Sequence, residues 1–427
     1  MLVLNPCRCQ LYYAGSCNID KRNAYCCIRR MIIEPKVRGF ICITAHPTGC
    51  SAHIQQQADF VRSQPKLINA PKRVLIIGAS TGYGLASRVV SVVGAHASTF
   101  GVFFERPADG DRTASAGWYN TVALEQIADK ENIPFYSMNG DAFSDEFKQK
   151  ALEAIKRTLG TVDCVIYSLA APRRTDKEGN TYKSVLKPIG KQFTGKTVNT
   201  DNGKVYDVSI DPATEDELKA TVKVMGGEDW SDWMHALADA HLLAPKVTAL
   251  AYSYIGPEVT WPIYKSGTIG QAKAHLMKTA QELNEFLGKE LQGRALISVN
   301  KAVVTQASSA IPVVPLYNSI LFKIMKTKKL HEDCIQQMYR LFAGLFDKKP
   351  LQVDNATCVR LDDWELNEAV QEEVRKVWSQ ISTENLKDLS DFEGYQKSFL
   401  QLFGFECDGV DYSKDVPIDC LMHHLMS

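Results

Sequence analysis

The sequence predicts an α/β fold built on a doubly wound parallel sheet with helices on both faces. Short runs rich in Val and Ile alternate with helix-like stretches along most of the chain, and this alternation is typical of strands buried on both faces of a parallel sheet. The links between them are short, as right-handed crossovers allow. A glycine-rich turn follows the apolar run at 74–77. Ligands of such sheets bind beyond the carboxyl ends of the strands, so this turn is the first candidate binding element.

Residues 74–84 read Val-Leu-Ile-Ile-Gly-Ala-Ser-Thr-Gly-Tyr-Gly. Gly78, Gly82 and Gly84 allow a tight turn and a close approach of the backbone to a pyrophosphate, whose charge is favoured by the amides of the following helix, at about 83–93. The spacing Gly-x-x-x-Gly-x-Gly differs from the dinucleotide fingerprint and is similar to the variant of the short-chain dehydrogenase/reductase superfamily. We therefore predict a Rossmann core at about 70–310, preceded by an N-terminal segment with a polar helix that ends near residue 63.

The second apolar run, at 97–104, ends at Glu105, roughly 20 residues beyond the last cradle glycine. A carboxylate there accepts hydrogen bonds from the adenosine ribose hydroxyls and repels a 2′-phosphate. This predicts NADH rather than NADPH as cofactor. Two points stay open. The adjacent Arg106 would weaken the discrimination against a 2′-phosphate, and Glu105 could instead be a solvated glutamate at a strand end with no binding role.

The alternation continues with a helix near 121–130, a strand at 135–138, a helix at 145–159 and a strand at 163–170. In a parallel sheet the carboxyl ends of these strands meet at one edge. The predicted ends at Gly78, Glu105, Asp141 and Leu169 therefore converge on one groove.

Residues 171–212 interrupt this pattern with lysines, glycines and the turn dipeptide Asn202-Gly203 between β-prone runs, which predicts an inserted β-hairpin. Two interpretations of its basic residues stay open, a contact with an anionic substrate tail or a solvated surface. These residues are Arg173, Arg174, Lys183, Lys187, Lys191 and Lys196.

Two helices are predicted after the hairpin. Thr214 and Glu217 form a capping-box pattern that opens a helix through residue 224. A second helix is expected at 229–243, where Trp230, Trp233 and Met234 are expected to be core residues rather than cofactor contacts.

The predicted chemistry follows the strand at 247–254, which precedes a segment with Tyr264 and a long helix that carries Lys273 and ends near residue 287. A tyrosine has a reference pKa of about 10, so an adjacent ammonium helps it to act as an acid at neutral pH. Lys273 is suited to this and to holding the nicotinamide ribose hydroxyls. A tyrosine and a lysine at this distance also occur by chance, so the spacing alone leaves both interpretations open.

Several motifs together resemble the FabV-type trans-2-enoyl reductases. Besides the Tyr-x8-Lys pair at Tyr264 and Lys273, they are Gly-Ala-Ser-Thr-Gly-Tyr-Gly, Phe-Phe-Glu, Asn-Gly-Asp-Ala-Phe-Ser, Tyr-Ser-Leu-Ala, Val-Lys-Val-Met-Gly-Gly-Glu-Asp-Trp and Ala-Tyr-Ser-Tyr-Ile-Gly. Ordinary short-chain reductases carry Tyr-x3-Lys and other enoyl reductases Tyr-x6-Lys. The resemblance extends from about residue 31 nearly to the C-terminus, and only residues 1–30 and the final His-His-Leu-Met-Ser fall outside it.

This resemblance implies an enzyme that reduces the C2–C3 double bond of trans-2-enoyl-CoA or enoyl-acyl-carrier-protein thioesters with NADH, the last step of the fatty-acid elongation cycle. It implies Tyr264 as the proton donor, Lys273 as a catalytic and NADH-binding residue, and Tyr254 as a substrate-binding residue. The other cofactor-binding residues that it implies are Gly78, Ala79, Ser80, Thr81, Gly82, Tyr83, Phe104, Glu105, Asp141, Ala142, Leu169, Ala170, Val303, Val304 and Thr305. After a sixth strand at 295–301, residues 306–316 either line an acyl channel or form a plain strand-to-helix connection.

Two other functions use the same cradle. An NAD-dependent carbonyl or alcohol oxidoreductase would need the Tyr and Lys pair, although the eight-residue spacing disfavours it. A non-catalytic NADH-binding regulator would be expected to lack Tyr264 or Lys273, and both are present. No metal is needed for the predicted chemistry, and no flavin signature accompanies the single cradle.

The bulk composition limits partners and compartment. The 49 Lys and Arg equal the 49 Asp and Glu, so the charge gives no indication of nucleic-acid or membrane binding. No apolar run approaches the roughly 20 residues of a membrane helix. We expect a monomer in a reducing, cytoplasmic compartment, with one domain at 31–427 whose C-terminal extension is helical near 316–346, 367–381 and 395–405. The cysteines scattered along this domain are then buried thiols.

The first 30 residues differ from the rest, since they are basic and contain five of the twelve cysteines. They are either an organelle (mitochondrial) transit peptide or an artefact of an upstream start, with Met31 as the true first residue, and we favour the second. Cys7, Cys9, Cys17, Cys26 and Cys27 have no nearby histidine, which disfavours a metal site.

Overall fold

The computed structural model describes residues 29–169, 171–347, 351, 353–354 and 357–427. Its strands are β1 (Arg30–Met31), β2 (Val37–Arg38), β3 (Ile41–Cys42), β4 (Arg73–Ile77), β5 (Ser98–Phe103), β6 (Phe135–Asn139), β7 (Val162–Tyr167), β8 (Arg173–Thr175), β9 (Thr181–Lys183), β10 (Phe193–Val198), β11 (Val205–Ile210), β12 (Leu243–Ser253), β13 (Arg294–Val299), β14 (Val353–Asp354), β15 (Cys358–Arg360), β16 (Val416–Pro417) and β17 (Leu425–Met426).

Its α-helices are α1 (Pro47–Arg62), α2 (Gly82–Val89), α3 (Ala116–Lys130), α4 (Asp145–Thr158), α5 (Glu215–Met225), α6 (Glu228–Asp239), α7 (Thr268–Leu291), α8 (Gln306–Ser309), α9 (Val314–Thr327), α10 (Cys334–Phe346), α11 (Glu368–Gln380), α12 (Leu386–Leu389) and α13 (Phe392–Gln401). A π-helical turn, Val90–Gly94, extends α2, and a 3-10 turn covers Glu258–Thr260.

The central sheet has nine strands in the order β14-β15-β13-β12-β7-β4-β5-β6-β17, and all pairs are parallel except β14 with β15. Its middle six strands have the doubly wound order of a Rossmann sheet, in which the direction of winding reverses between β4 and β7. The predicted fold class is therefore confirmed.

Alternate residues of β4 enter two different cores. Val74 and Ile76 pack with α1, α2, α3 and α10 on one face, whereas Leu75 and Ile77 pack with α4, α6 and α7 on the other. Successive side chains of a strand point to opposite faces, so the uniformly apolar run reflects burial on both sides. Trp230, Trp233 and Met234 of α6 are fully buried in the second core, as predicted.

Several predicted boundaries differ from the structure by a few residues, and two further differences have a clear local cause. The helix expected at 229–243 ends at Asp239, because His241 has a left-handed backbone (φ +56°) and Leu243 already pairs with Val162 of β7. The segment after β13 contains a short helix, α8, that the sequence analysis did not predict. Thr305 and Ser308 cap it reciprocally.

The region at 171–212 forms two antiparallel pairs, β8 with β9 and β10 with β11, and Asn202-Gly203 lies in the loop of the second. Three of its basic side chains are engaged within the protein. Arg174 is buried and pairs with Glu228 at 3.2 Å, Lys187 pairs with Glu217 at 2.6 Å, and Lys196 donates to three carbonyls at the end of α11. These three residues are therefore not free to meet a substrate tail.

The C-terminal part of the chain extends the sheet at both edges, with β15 beside β13 and β17 beside β6. Near the start of the described residues, Arg29 forms an ion pair with Asp419. This part of the chain therefore contacts the C-terminal segment. The five cysteines of the first 30 residues lie outside the described residues. The cysteines within the described residues are free thiols. Cys42, Cys50, Cys164, Cys358 and Cys407 are buried, whereas Cys334 and Cys420 are half-buried. No helix among the described residues has the length and apolar character needed to cross a membrane.

Candidate active site

The carboxyl ends of the six central strands meet at one edge of the sheet. The strand register aligns Ile77 of β4 with both Val102 of β5 and Tyr167 of β7, and Ser253 of β12 with Val299 of β13. Consequently the sequence-predicted residues that follow these strands lie along one groove. Ala170 is outside the described residues.

The phosphate cradle forms a tight turn between β4 and α2. The Gly78 and Ala79 amides donate to the Val102 carbonyl at 2.8 and 3.0 Å. Gly78 has φ +90°, and a Cβ on Gly84 would stand 1.9 Å from the Gly78 carbonyl oxygen. Gly78 and Gly84 thus let the helix and the turn pack closely, whereas a Cβ on Gly82 would make only an ordinary contact, with Thr305.

The N-terminus of α2 suits a pyrophosphate. Thr81 precedes the helix, is exposed, and makes no side-chain capping hydrogen bond. Gly82 has φ +54°, and the nearest atom to a Cβ built on it would be the Thr305 methyl at 3.6 Å. Exposed amides of a first helical turn attract anions. The residues present therefore fit a dinucleotide, whose phosphates this turn would hold.

Tyr83 joins the cradle helix to the end of β13. Its hydroxyl donates to the Lys301 carbonyl at 2.7 Å, and its ring lies 5.7 Å from the ring of Tyr252. Val303 and Val304, which follow β13, are buried. This part of the predicted cofactor site is thus held by packing as well as by the sheet.

Glu105 lies directly beyond β5 and contacts the cradle. Its Oε1 accepts a hydrogen bond from the Ser80 hydroxyl at 2.6 Å, and its backbone is fixed by reciprocal bonds with the Asn139 amide group at 2.7 and 2.8 Å. Burial raises the pKa of Glu105. Its neighbour Phe104 is 76% exposed, so this side chain lies at the open rim of the groove.

The end of β6 is held from the opposite layer. Asp141 is exposed and its Oδ1 accepts from the Phe143 amide at 3.0 Å. The Ala142 carbonyl accepts from the Trp233 indole at 3.1 Å. The buried α6 helix therefore positions this predicted adenine-binding turn.

Two tyrosines and a lysine surround the end of β12. The Tyr254 and Tyr264 rings meet edge to face, with centroids 4.9 Å apart. Tyr264 is only 5% exposed, and its hydroxyl makes no hydrogen bond within the described residues. Burial raises the pKa of Tyr264 above its usual range, so the phenol is protonated and free to donate.

Lys273 approaches the same strand end from α7. Its Nζ donates to the Tyr252 carbonyl at 3.2 Å, and desolvation by the surrounding protein lowers its pKa to about 8. The ammonium is thus the main form at neutral pH but is easily lost in mild alkali. The structure brings Tyr254, Tyr264 and Lys273 to one strand end.

The sequence analysis missed a buried carboxylate behind Tyr254. Glu365 lies in the turn before α11, is fully buried, and accepts the Tyr254 hydroxyl at 2.9 Å. The sequence carries no local signal for it, since Glu365 stands among other acidic residues in a loop far from Tyr254 along the chain.

Three family models match consecutive parts of the chain. Residues 32–110 match the "NAD(P)H binding domain of trans-2-enoyl-CoA reductase", and residues 112–346 match the "Trans-2-enoyl-CoA reductase catalytic region". Residues 353–416 match the "Enoyl reductase FAD binding domain". The region at 32–110 contains the cradle, and the region at 112–346 contains Tyr264 and Lys273.

The residues matched by the third model do not fit a flavin dinucleotide. The turn after β15 contains no glycine to bring its backbone close to a pyrophosphate. Its two aspartates pair with arginines, Asp362 with Arg360 at 2.7 Å and Asp363 with Arg340 at 2.9 Å, so these arginines are not free to bind phosphates. Gly404 packs against α1, where a Cβ would stand 2.4 Å from the Cys50 amide. A Cβ on Gly394 would stand 2.4 Å from the Asp391 carboxylate. No flavin step is therefore derived for this chain.

Named relatives match almost the whole length of the chain. An "Enoyl-[acyl-carrier-protein] reductase [NADH]" of Opitutus terrae is 55% identical over 388 residues, covering 90% of this chain and 98% of the relative. A "Trans-2-enoyl-CoA reductase [NADH]" of Clostridium perfringens is 54% identical, covering 91% and 99%.

Solved structures agree with these relatives. The trans-2-enoyl-CoA reductase of Clostridium acetobutulicum in complex with NADH has a TM-score of 0.89 at 43% identity, covering 91% of this chain and 98% of that one. The trans-2-enoyl-CoA reductase of Treponema denticola in complex with NAD has a TM-score of 0.87 at 44% identity, covering 92% and 100%. Since the models, the relatives and the structures all agree, this chain belongs to the trans-2-enoyl-CoA reductase family.

Proposed function

We propose that this protein uses NADH to reduce the C2–C3 double bond of trans-2-enoyl thioesters to saturated acyl thioesters. The observation that carries the proposal is Tyr264, whose side chain is buried and whose hydroxyl has no hydrogen-bond partner among the described residues. Burial raises the pKa of Tyr264, so the hydroxyl keeps its proton at neutral pH. It lies at the same sheet edge as the dinucleotide cradle. An acid beside a nicotinamide site is the arrangement that reduction of a polarised double bond requires.

The substrate's electronic structure assigns the roles. In a trans-2-enoyl thioester the β-carbon is electrophilic, because the thioester carbonyl takes up the charge as an enolate. NADH, when bound, supplies the hydride. A hydroxyl directed at the thioester oxygen stabilises the developing charge, which is commonly one of the larger contributions to catalysis.

Tyr264 is the better placed of the two tyrosines for this role. The Tyr254 hydroxyl already donates to Glu365, so in this arrangement it has no proton to give to a substrate oxygen. We assign Tyr254 to the substrate-binding surface and Tyr264 to the donor role. A proton then reaches the α-carbon from Tyr264 or through water, and the Lys273 ammonium stabilises the phenolate that remains.

The cofactor contacts follow the strand ends. The turn at 78–83 holds the pyrophosphate, Phe104 and Glu105 hold the adenosine end, and Asp141 and Ala142 hold the adenine. We assign Leu169, Lys273 and the segment of Val303, Val304 and Thr305 to the nicotinamide side. Ala170, which is outside the described residues, is assigned there from the family resemblance alone. Glu105 gives the site its preference for NADH over NADPH, since an anion at the ribose disfavours a 2′-phosphate.

Both thioester carriers fall within the proposal, because the relatives named above include an enoyl-acyl-carrier-protein reductase and a trans-2-enoyl-CoA reductase. We further propose that residues 31–427 act as one catalytic unit, because strands from both the N-terminal and the C-terminal parts of the chain join one central sheet, and that the protein is a monomer. We place the protein in the cytoplasm, or in mitochondria if residues 1–30 act as a transit peptide. Light scattering and the location of a tagged full-length chain test these two points.

The decisive experiment is the oxidation of NADH by the intact protein with crotonyl-CoA, followed by NADH absorbance. NADPH replaces NADH in a second arm, and longer enoyl thioesters on CoA and on acyl carrier protein form a third. NADH-dependent turnover with saturated product supports the proposal. Tight NADH binding without reduction of any enoyl thioester would overturn it and favour the NADH-binding regulator, whereas oxidation of alcohols would favour the carbonyl or alcohol oxidoreductase.

A further inference from the structure

A buried carboxylate links the two strand ends on which substrate and cofactor are proposed to lie. Glu365 Oε1 accepts hydrogen bonds from the Tyr254 hydroxyl at 2.9 Å and the Tyr317 hydroxyl at 2.6 Å. Its Oε2 accepts the Ala302 amide at 2.6 Å. Tyr254 directly follows β12, and Ala302 lies between β13 and the segment 303–305. One side chain thus fixes both strand ends.

The surroundings of Glu365 allow little movement. Tyr317 of α9 is fully buried, and Gln371 of α11 donates to the Glu365 carbonyl at 2.6 Å. Three donors converge on the carboxylate, which matches the acceptor-only character of its ionised form. The Tyr254 hydroxyl donates to Glu365, and the Tyr317 hydroxyl, which donates to the same carboxylate oxygen, lies close enough to interact with it.

We propose that Glu365 is a positioning residue for the reduction: by holding the Tyr254 hydroxyl as a donor, it fixes the Tyr254 ring against Tyr264 and leaves Tyr264 as the tyrosine that donates to the thioester oxygen. Glu365 does not itself touch substrate or cofactor. This inference rests on the proposed enoyl reductase function.

A glutamine at position 365 cannot reproduce this arrangement, although it has nearly the same shape. If its oxygen accepts the two tyrosine hydroxyls, its NH₂ group faces the Ala302 amide, and two donors oppose each other. If its oxygen accepts Ala302 instead, the NH₂ group donates to the Tyr254 oxygen, and the Tyr254 proton is released toward the substrate side. Either outcome alters the site that Tyr254 and Tyr264 form.

The test is a double-mutant cycle between Glu365→Gln and Tyr254→Phe, with kcat and KM for crotonyl-CoA and the Kd for NADH measured for each protein. We expect Glu365→Gln to lower kcat/KM for the enoyl thioester by about tenfold, which corresponds to ~1.4 kcal/mol and is of the order of one hydrogen bond to a charged group. Any rise in the Kd for NADH that follows from the altered Ala302 contact should be the same in the parent and Tyr254→Phe backgrounds, so it does not enter the coupling. In the Tyr254→Phe background, Glu365→Gln should cause little further loss, because the hydroxyl through which it acts is gone.

Glu332→Gln is the matched control. Glu332 is also a buried carboxylate of the C-terminal part, but it pairs with Arg340 at 2.7 Å and contacts neither tyrosine. Its effect on kcat/KM should be small and independent of Tyr254→Phe. Thermal unfolding of every variant separates loss of fold from loss of positioning.

Two results would overturn the inference. One is full additivity of Glu365→Gln and Tyr254→Phe, which would leave Glu365 with a purely structural role. The other is a Tyr254→Phe protein with the kcat/KM of the parent, and this result decides the matter even if Glu365→Gln fails to fold. A parent protein that reduces no enoyl thioester would instead contradict the proposed function, so the two failures are distinguishable.

Discussion

The ring of Tyr254 meets the ring of Tyr264 edge to face, with centroids 4.9 Å apart and planes at 84°. The two hydroxyls nevertheless differ, because Tyr254 donates to Glu365 while Tyr264 has no partner within the described residues. Adjacent aromatic rings of this geometry attract one another, so the pair forms a rigid wall at the end of β12. This asymmetry assigns different roles to two residues of the same type.

Replacing Tyr264 with Phe should remove the proton donor and keep the packing. We expect kcat with crotonyl-CoA to fall by about 10²–10⁴, the usual range for loss of a general acid, while the Kd for NADH stays unchanged. Stopped-flow measurement of NADH oxidation provides the rate. Tyr206→Phe, on the exposed face of β11, serves as the control and should behave as the parent. A Tyr264→Phe enzyme with parental kcat would contradict the assignment.

The pH dependence of kcat/KM for NADH should follow the protonation of Lys273. Its folded pKa of about 8 lies below the ordinary 10.5, so the ammonium form is present below about 8 and is lost above it. Because kcat/KM reports groups of the free enzyme, kcat/KM for NADH should fall as the pH rises through about 8. Lys273→Met should have low activity without this falling limb.

Deprotonation of Lys273 should also change the stability of the protein, but here a higher pH should be favourable. Between pH about 8 and 10.5 the unfolded chain holds the proton that folded Lys273 has lost, so the free energy of unfolding should rise with pH in that window. Denaturant titrations at several pH values measure this, and Lys273→Met should remove the rise. Lys278→Met, exposed on the same helix α7, should retain both behaviours.

Cofactor preference should depend on the charge of Glu105. Glu105→Gln removes the anion that opposes a 2′-phosphate, so kcat/KM for NADPH relative to NADH should increase by about tenfold or more, equivalent to at least ~1.4 kcal/mol. Because burial raises the pKa of Glu105, acidification of the parent enzyme should shift the ratio in the same direction as the carboxyl protonates. An unchanged ratio in Glu105→Gln would show that this carboxylate does not face the ribose.

Two glycine substitutions should have opposite effects on stability. Gly84→Ala places a Cβ 1.9 Å from the Gly78 carbonyl oxygen, and overpacking of this kind typically costs about 1–3 kcal/mol. Gly288 is exposed within α7 with nothing closer than 3.9 Å to its Cβ position, so Gly288→Ala should stabilise by about 1 kcal/mol. Thermal unfolding measures both. Equal melting temperatures for the two variants would contradict the close packing of the cradle turn.

The sequence predicted the elements whose signal is local. Uniformly apolar runs indicated strands buried on both faces, and glycines placed the cradle after β4. The capping box of Thr214 and Glu217 located the start of α5, where both of its hydrogen bonds are present. The Tyr-x8-Lys spacing, together with the other short motifs, identified the family, which the comparisons confirm.

Contacts between distant parts of the chain could not be predicted in this way. Arg174 reads as a surface residue of a basic hairpin, yet it is buried against α6. The final residues fall outside the family pattern, yet Leu425 and Met426 extend the sheet beside β6. Neither position carries a periodicity or spacing that reveals its partner.

The sequence by itself thus determined the main strands of the core, the cradle and, through the family resemblance, the candidate acid, because these signals lie in residues close together in the chain. Only the tertiary structure decided which tyrosine hydroxyl is free. Tyr254 and Glu365 are 111 positions apart, and their hydrogen bond exists because the sheet brings the end of β12 beside the turn that follows β15. A buried donor takes the nearest acceptor that the fold supplies, so the chemistry of Tyr254 was settled by packing rather than by its neighbours in sequence.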